Sequence, residues 1–378
     1  MRITIVGGGP AGLYFSILMK KLDPANEITV IERDGPNDTF GWGIVFSDQT
    51  FSYLKENDRP SYEAITAACE TWDNVDVVHR DQKVTIRGNK FSGVGRLAFL
   101  NILHNRCLGL GVDIRFNTNV SDVNQLGGYD LLIGADGANS LVRRTYAEHF
   151  QPSLDYGKNK YIWLGTRQLF HGLTLTFREG EAGLFIAHSY KFNKTTSTFI
   201  VECGEETWAR AGFADMSDRQ TCEYLAEVFK NDLDGQPLLS NNFVRWINFL
   251  LVKNRRWHYQ NVALLGDALH TAHFSIGSGT KLALEDAIAL AKCFASTNEV
   301  EAALSEFERV RKPVIDAYQE AAVSSLLMFE NAREMMSLDP LPFAYKLMTR
   351  SKKINYEKLK KRDPEFIAAY DSYLKSAI

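Results

Sequence analysis

The sequence predicts an α/β fold in which a parallel nucleotide-binding sheet is interleaved with a mixed β-sheet region and followed by a helical C-terminal region. Three observations predict it. Residues 2–34 form a strand, glycine loop, helix and strand in succession. Two later strand ends run into Asp136-Gly137 and Gly266-Asp267, and a strand-rich block lies between those two turns.

The first unit is the most explicit. An apolar strand over residues 3–6 enters Gly7-x-Gly9-x-x-Gly12, a helix follows to residue 22, and a second strand over residues 28–31 ends in Glu32 and Arg33. Gly7 permits a tight turn, Gly9 lets the main chain approach a pyrophosphate, and Gly12 lets helix and strand pack closely. The helix start, Pro10 and Ala11, presents the positive end of the helix dipole and, from Ala11 onward, amide donors. Glu32 follows Gly12 at the distance where a carboxylate reaches a ribose hydroxyl. A glycine motif alone is an ordinary turn as often as a site. With its strand, helix and acid in place it reads as an ADP-moiety site.

Composition narrows the function. The chain has 378 residues, which favours two domains or one elaborated domain, and a formal charge of −3 speaks against a nucleic-acid binder. Five widely spaced cysteines without a Cys-x-x-Cys pair fit reduced thiols in a cytoplasmic protein and suggest no metal site. A nucleotide-binding strand beginning at residue 2 is expected to leave no leader peptide. No apolar run reaches membrane-spanning length, so no membrane partner is expected.

Along the chain, residues 40–46 read as a Gly-Trp-Gly turn, 75–87 alternate like strands, 97–108 have helical spacing with Arg96 at their start, and 112–116 and 129–135 are short strands. Strands follow at 161–168, 173–178, 183–189 and 196–202, then a helix near 219–231. A buried strand at 262–265 and a helix at 281–294 return to the first pattern, and residues 300–378 are helical. The expected division is therefore a nucleotide-binding domain made of residues 1–72, 93–155 and 255–298. The β-sheet substrate domain is expected from 73–92 and 156–254, and the helical region from 299–378. Residues 346–362 hold eight Lys/Arg against the single Glu357. A solvated face is the ordinary reading of such a run.

Two further segments carry chemistry. Gly134-Ala135-Asp136-Gly137-Ala138-Asn139-Ser140-x-x-Arg143 puts an acid and a glycine at a strand end before a helix. Leu265-Gly266-Asp267-Ala268-Leu269-His270, with Gly277-x-Gly279-Thr280 behind it, does so again. Through these three separated motifs the chain resembles the group A flavoprotein aromatic hydroxylases of the para-hydroxybenzoate hydroxylase fold. The resemblance implies an FAD-binding Rossmann-like domain. It implies that Asp136 and Gly137 serve the flavin pyrophosphate and the reduced nicotinamide donor, NADH or NADPH, and that Gly266 and Asp267 serve the ribityl hydroxyls. Gly277, Gly279 and Thr280 would lie against the flavin ring, with Arg96 reaching the cofactor. The loop departs from the usual family pattern in having Phe274 and Lys281 where a proline and an asparagine are common. With the Phe40 to Asp48 and Tyr161 to Thr166 segments, it is similar to the salicylyl-CoA 5-hydroxylases and the monooxygenase half of anthraniloyl-CoA monooxygenase/reductase. It is less closely similar to the violacein-pathway indole hydroxylase.

The resemblance implies an FAD-dependent aromatic monooxygenase that uses NAD(P)H and dioxygen on a ring bearing an amino or hydroxyl group. The ring could arrive as a CoA thioester. Trp42, His188, Tyr190 and Phe274 are the expected substrate lining, and His188 or His273 would orient the ring donor. The plainer reading makes both histidines structural and Trp42 core. Two other classes share these motifs, a flavin-dependent isoprenoid reductase and a non-catalytic flavin carrier. Monomer and dimer are both open.

Overall fold

A computed structural model describes residues 1–241, 245–297, 299–351 and 353–376. The glycine-loop unit sits at the centre of a six-stranded sheet ordered His258–Tyr259, Val262–Leu264, Leu131–Gly134, Arg2–Val6, Glu27–Ile31, Asp113–Arg115, parallel except for the first strand. Such a sheet needs both faces covered. The helix Pro10–Leu22 is buried from Ala11 to Met19, and with the helix Gly279–Ser296 it contributes to one continuous core with the sheet's Ile3, Ile5, Val30, Leu132 and Leu264. Proline at the helix start suits a position whose N–H has no helical partner.

A second, eight-stranded sheet is mixed. Its main path runs Leu238–Leu239, Pro152–Thr166, Ser197–Cys203, Gly183–Lys191, Leu173–Gly180, Val75–His79, Gln82–Ile86, and Ile247–Asn254 pairs along the long strand Pro152–Thr166. Alternation sorts the side chains to two faces. Phe185, Ala187, Phe199 and Val201 pack with Leu225 of the helix Asp218–Val228. Val75, Leu175, Phe177 and Ile186 face the other way, into a core shared with Phe343, Leu347 and Phe366 of the C-terminal helices Pro340–Thr349 and Pro364–Ser376. Register places Ile186 opposite Glu202, His188 opposite Ile200 and Tyr190 opposite Thr198, so these side chains share the face toward the C-terminal helices.

The sequence reading missed a third element. The 40–46 stretch turns only at Gly41, whose φ is +79°, and then becomes the strand Gly43–Ser47, paired with Phe91–Gly95, which also pairs with Glu70–Trp72. Ile44 and Phe46 are buried on one side of this strand, an alternation masked by the glycines before it. Among the described residues no helix is long and apolar enough to cross a membrane.

Candidate functional site

A cavity of about 940 Å³ runs from the glycine loop to the C-terminal helices. Gly9, Pro10 and Ala11 wall one end. Gly7 holds φ at +105°, and a Cβ there would overlap the Ala135 carbonyl; one on Gly12 would overlap the Gly7 carbonyl. Gly9 differs, because a Cβ there would meet nothing within 4 Å. Gly7 and Gly12 are thus glycines for the fold, and Gly9 keeps space open in the cavity. The same contrast recurs across the cavity, where Gly277 caps a turn with φ at +59° and Gly279, at a helix start, has nothing within 4 Å. Neither helix start facing the cavity, Pro10–Leu22 or Gly279–Ser296, is closed by a side-chain cap. Gly277, Gly279 and Thr280 all line the wall; the Gly277 amide donates to the Phe274 carbonyl at 2.8 Å, so the Gly279 and Thr280 amides at the helix start are the ones available to a bound group.

Several expected residues are occupied otherwise. Both Asp136 oxygens serve the protein: Oδ2 accepts from the Leu141 and Val142 amides at 2.6 and 3.2 Å, and Oδ1 from the Ser140 hydroxyl at 2.5 Å. The expectation that Asp136 meets the cofactor is corrected here. It pins the start of the helix Leu141–Thr145, while its neighbours Ala135, Gly137, Ala138 and Asn139 line the cavity. Glu32 accepts from the Gly8 amide at 2.6 Å and the Asp34 amide at 2.9 Å, which ties the glycine loop to the end of the second strand. Arg33 is exposed, 3.3 Å from Asp34 and over the Phe40 ring, and does not line the cavity.

Asp267 and Arg96 are free to act. Asp267 is exposed to the cavity it lines and hydrogen-bonds to none of the described residues. Arg96 lines the cavity with its Nε enclosed and unpartnered. Gly266, at φ +60°, lets the backbone turn beside Ala11. Arg143 joins the two acidic turns, donating from Nη1 to the Ala268 carbonyl at 2.8 Å and from Nη2 to the Ala138 carbonyl at 2.5 Å.

At the other end the wall is aromatic. Phe274 packs 4.7 Å from Tyr161 and 5.2 Å from the His188 ring, and all three line the cavity with Tyr190, whose hydroxyl donates to the Gly43 carbonyl at 2.8 Å. Two expectations fail here. Trp42 packs across Gly165, on the same face of the strand Pro152–Thr166 as Tyr161 and Trp163, and does not itself line the cavity. His273 is buried behind Phe274: its Nδ1 bonds to Ser275 at 2.7 Å, its ring lies against Phe249, and burial pushes its pKa down to about 4. It caps the 274–276 turn and does not line the cavity.

The C-terminal region completes the wall. Arg350 donates to the Ser275 carbonyl at 2.7 Å and to the Ser325 hydroxyl at 2.9 Å, so it bolts the Phe274 loop to two C-terminal helices; burial lowers its pKa to about 10. Lys353 lies 3.1 Å from the centroid of the Tyr318 ring, its pKa lowered to about 8 by burial and by Lys281. Lys281 is paired with Glu285 at 2.7 Å and with the Tyr318 hydroxyl at 2.8 Å. The run expected as a solvated face thus turns Arg350, Lys353 and Arg362 toward the cavity. Lys352 lies outside the described residues.

Comparison with known proteins decides the family. The family model for the FAD binding domain matches residues 128–322. The chain is 39% identical to salicyloyl-CoA 5-hydroxylase of a Streptomyces species, over 99% of this chain and 74% of that one. It is 36% identical to protodeoxyviolaceinate monooxygenase of Chromobacterium violaceum, over 94% and 95%. This chain belongs to the FAD-dependent aromatic monooxygenases. The solved structure of 2-methyl-3-hydroxypyridine-5-carboxylic acid oxygenase superposes on the monooxygenase with a TM-score of 0.74 at 18% identity, covering 96% of this chain and 98% of that one, which establishes the fold. The cofactor of the monooxygenase is FAD, and enzymes of this kind draw electrons from NADH or NADPH.

Two site residues of the monooxygenase escaped the sequence reading. Glu202 carried a signal, a charge in phase with Thr198 and Ile200 on the inward face of its strand. Arg350 carried none, because its role depends on a loop 75 residues upstream.

Proposed function

We infer that the cavity holds FAD at its glycine-lined end and an aromatic acyl-CoA at the other, salicylyl-CoA or anthraniloyl-CoA, hydroxylated at ring position 5 in the cytoplasm. The observation that carries this reading is the 39% identity to salicyloyl-CoA 5-hydroxylase over nearly the whole chain. The residues present fit FAD. The uncapped helix starts after Pro10 and at Gly279 offer amides to its pyrophosphate and ring, Asp267 offers acceptors to ribityl hydroxyls, and Arg96 brings its positive charge to the wall. When bound, FAD supplies reduction by NAD(P)H and the activation of dioxygen. The protein binds and orients the ring and excludes water, with Phe274, Tyr161, His188 and Tyr190 forming the apolar wall.

Arg350, Lys353 and Arg362 give the C-terminal side a positive lining that suits an anionic thioester. The test compares NAD(P)H oxidation and hydroxylated product for salicylyl-CoA, anthraniloyl-CoA, the two free acids and an indole substrate. Thioesters should be turned over in preference. Turnover confined to the free acids or the indole would remove the thioester assignment and favour the reading supported by the 36% identity to protodeoxyviolaceinate monooxygenase. Lys353→Glu should raise the KM for the thioester about tenfold at low salt, where screening is weakest.

A further inference from the structure

Beneath the aromatic end of the cavity lies a buried pair that the fold does not need. His188 Nε2 is 2.7 Å from Glu202 Oε1, and the Asn159 amide donates to Glu202 Oε2 at 3.2 Å. Glu202 is 1% exposed and His188 4%. Burial pushes the Glu202 carboxyl up, but the hydrogen bonds from His188 and the Asn159 amide outweigh it and hold the carboxyl below its ordinary range. A buried carboxylate–imidazole pair is weak evidence for stability, since apolar residues of similar volume hold such a position as well or better.

The two imidazole nitrogens are not equivalent. An ionised carboxylate only accepts, so in the neutral ring the hydrogen sits on Nε2 and the Nδ1 lone pair is left over. Nδ1 has no hydrogen-bond partner among the described residues, is not among the enclosed unpartnered atoms, and belongs to a residue that lines the cavity. Phe274 at 5.2 Å and Phe329 at 4.9 Å fix the ring plane. The buried His270–Asp286 pair also leaves its Nδ1 unpartnered, but there the atom is enclosed and the residue does not line this cavity; His188 Nδ1 is an acceptor left over on a residue that does.

We propose that His188 Nδ1 accepts the hydrogen of the ring's activating hydroxyl or amino group, and that Glu202 is the positioning residue that keeps Nδ1 an acceptor. The proposal rests on the aromatic-substrate reading above and sharpens it: the substrate's activating group must be a hydrogen-bond donor, so its methyl ether is rejected.

The decisive variant is Glu202→Gln. Its amide oxygen would accept from Asn159, its NH2 would donate to His188 Nε2, and the imidazole hydrogen would move to Nδ1. Holoenzyme with 15N-labelled histidine rings, studied by NMR at pH 8, should show His188 Nδ1 unprotonated in the parent and protonated in Glu202→Gln, with His188→Gln identifying the signals. Glu202→Asp should retain the parent tautomer. Titrations of 2-hydroxybenzoyl-CoA and 2-methoxybenzoyl-CoA, followed in the flavin spectrum, should show at least a tenfold preference for the hydroxyl compound, narrowed or reversed in Glu202→Gln and kept in Glu202→Asp. FAD content and thermal melting report folding of each variant. An unchanged tautomer in Glu202→Gln, or an unchanged preference, would overturn the proposal. If the parent binds neither thioester, the thioester reading fails, and the NMR comparison together with phenol and anisole titrations still decides the role of His188 and Glu202.

Discussion

The glycine-lined end of the cavity and its aromatic end are built on different principles. The first is made of main chain: positive-φ glycines, two uncapped helix starts and a tight turn beside each. The second is made of side chains brought from far apart, with Phe274 held by Arg350, and His188 by Glu202. Backbone cradles are specified by local sequence, because a turn that needs glycine tolerates little else. Side-chain constellations depend on which strands and helices meet, so the same chemistry can be assembled from almost any residues.

The sharpest break of this comparison contrasts two glycines in one loop. Gly7→Ala should abolish folding of the nucleotide-binding sheet or lower thermal stability by several kcal/mol, since it combines an unfavourable φ with overlap on the Ala135 backbone. Gly9→Ala should leave apo-protein melting nearly unchanged and lower FAD retention, because its methyl group enters only open space. Equal losses of stability in both would show that Gly9 also serves the fold.

The next effect belongs to the aromatic end. The buried, neutral His273 has its pKa pushed from the ordinary 6.5 down to about 4, so the unfolded chain binds a proton first as pH falls. Its contribution to stability is fully present above pH 6.5 and is lost progressively as pH drops toward 4, by at most about 3 kcal/mol. Denaturant melts of the parent between pH 7 and 4 should fall more steeply than those of His273→Gln. Parallel curves would mean that other groups govern acid sensitivity.

A smaller effect returns to the cofactor. Asp267→Ala should weaken FAD retention roughly 10- to 100-fold, as expected for removing acceptors from buried donors at about 1–3 kcal/mol, without lowering the melting temperature of the apo-protein. Full FAD content after dilution and gel filtration would exclude Asp267 from the ribityl contacts.

The same division explains what was legible in the sequence. The strand, helix and glycine positions of the first unit could be read because local conformation dictates them, and so could the alternating strands that place His188 on the cavity face. Asp136 misled because a carboxylate before a helix serves its own amides as readily as a ligand. Trp42 misled because its direction depends on the single turn at Gly41, and His273 because one residue of phase separates a lining side chain from a buried one. Glu202 was visible as an inward charge that the alternation should have flagged. Arg350 was hidden, since nothing near it in the chain announces the Ser275 carbonyl it binds.

That last contact gives the molecule an order of assembly. One half of the glycine cradle is encoded at the start of the chain and the other, Gly277 and Gly279, directly after Phe274, in a loop bolted down by a guanidinium 75 residues further on. A growing chain therefore carries both halves of its nucleotide cradle, with Phe274 between them, before Arg350 arrives to fix the loop that joins them.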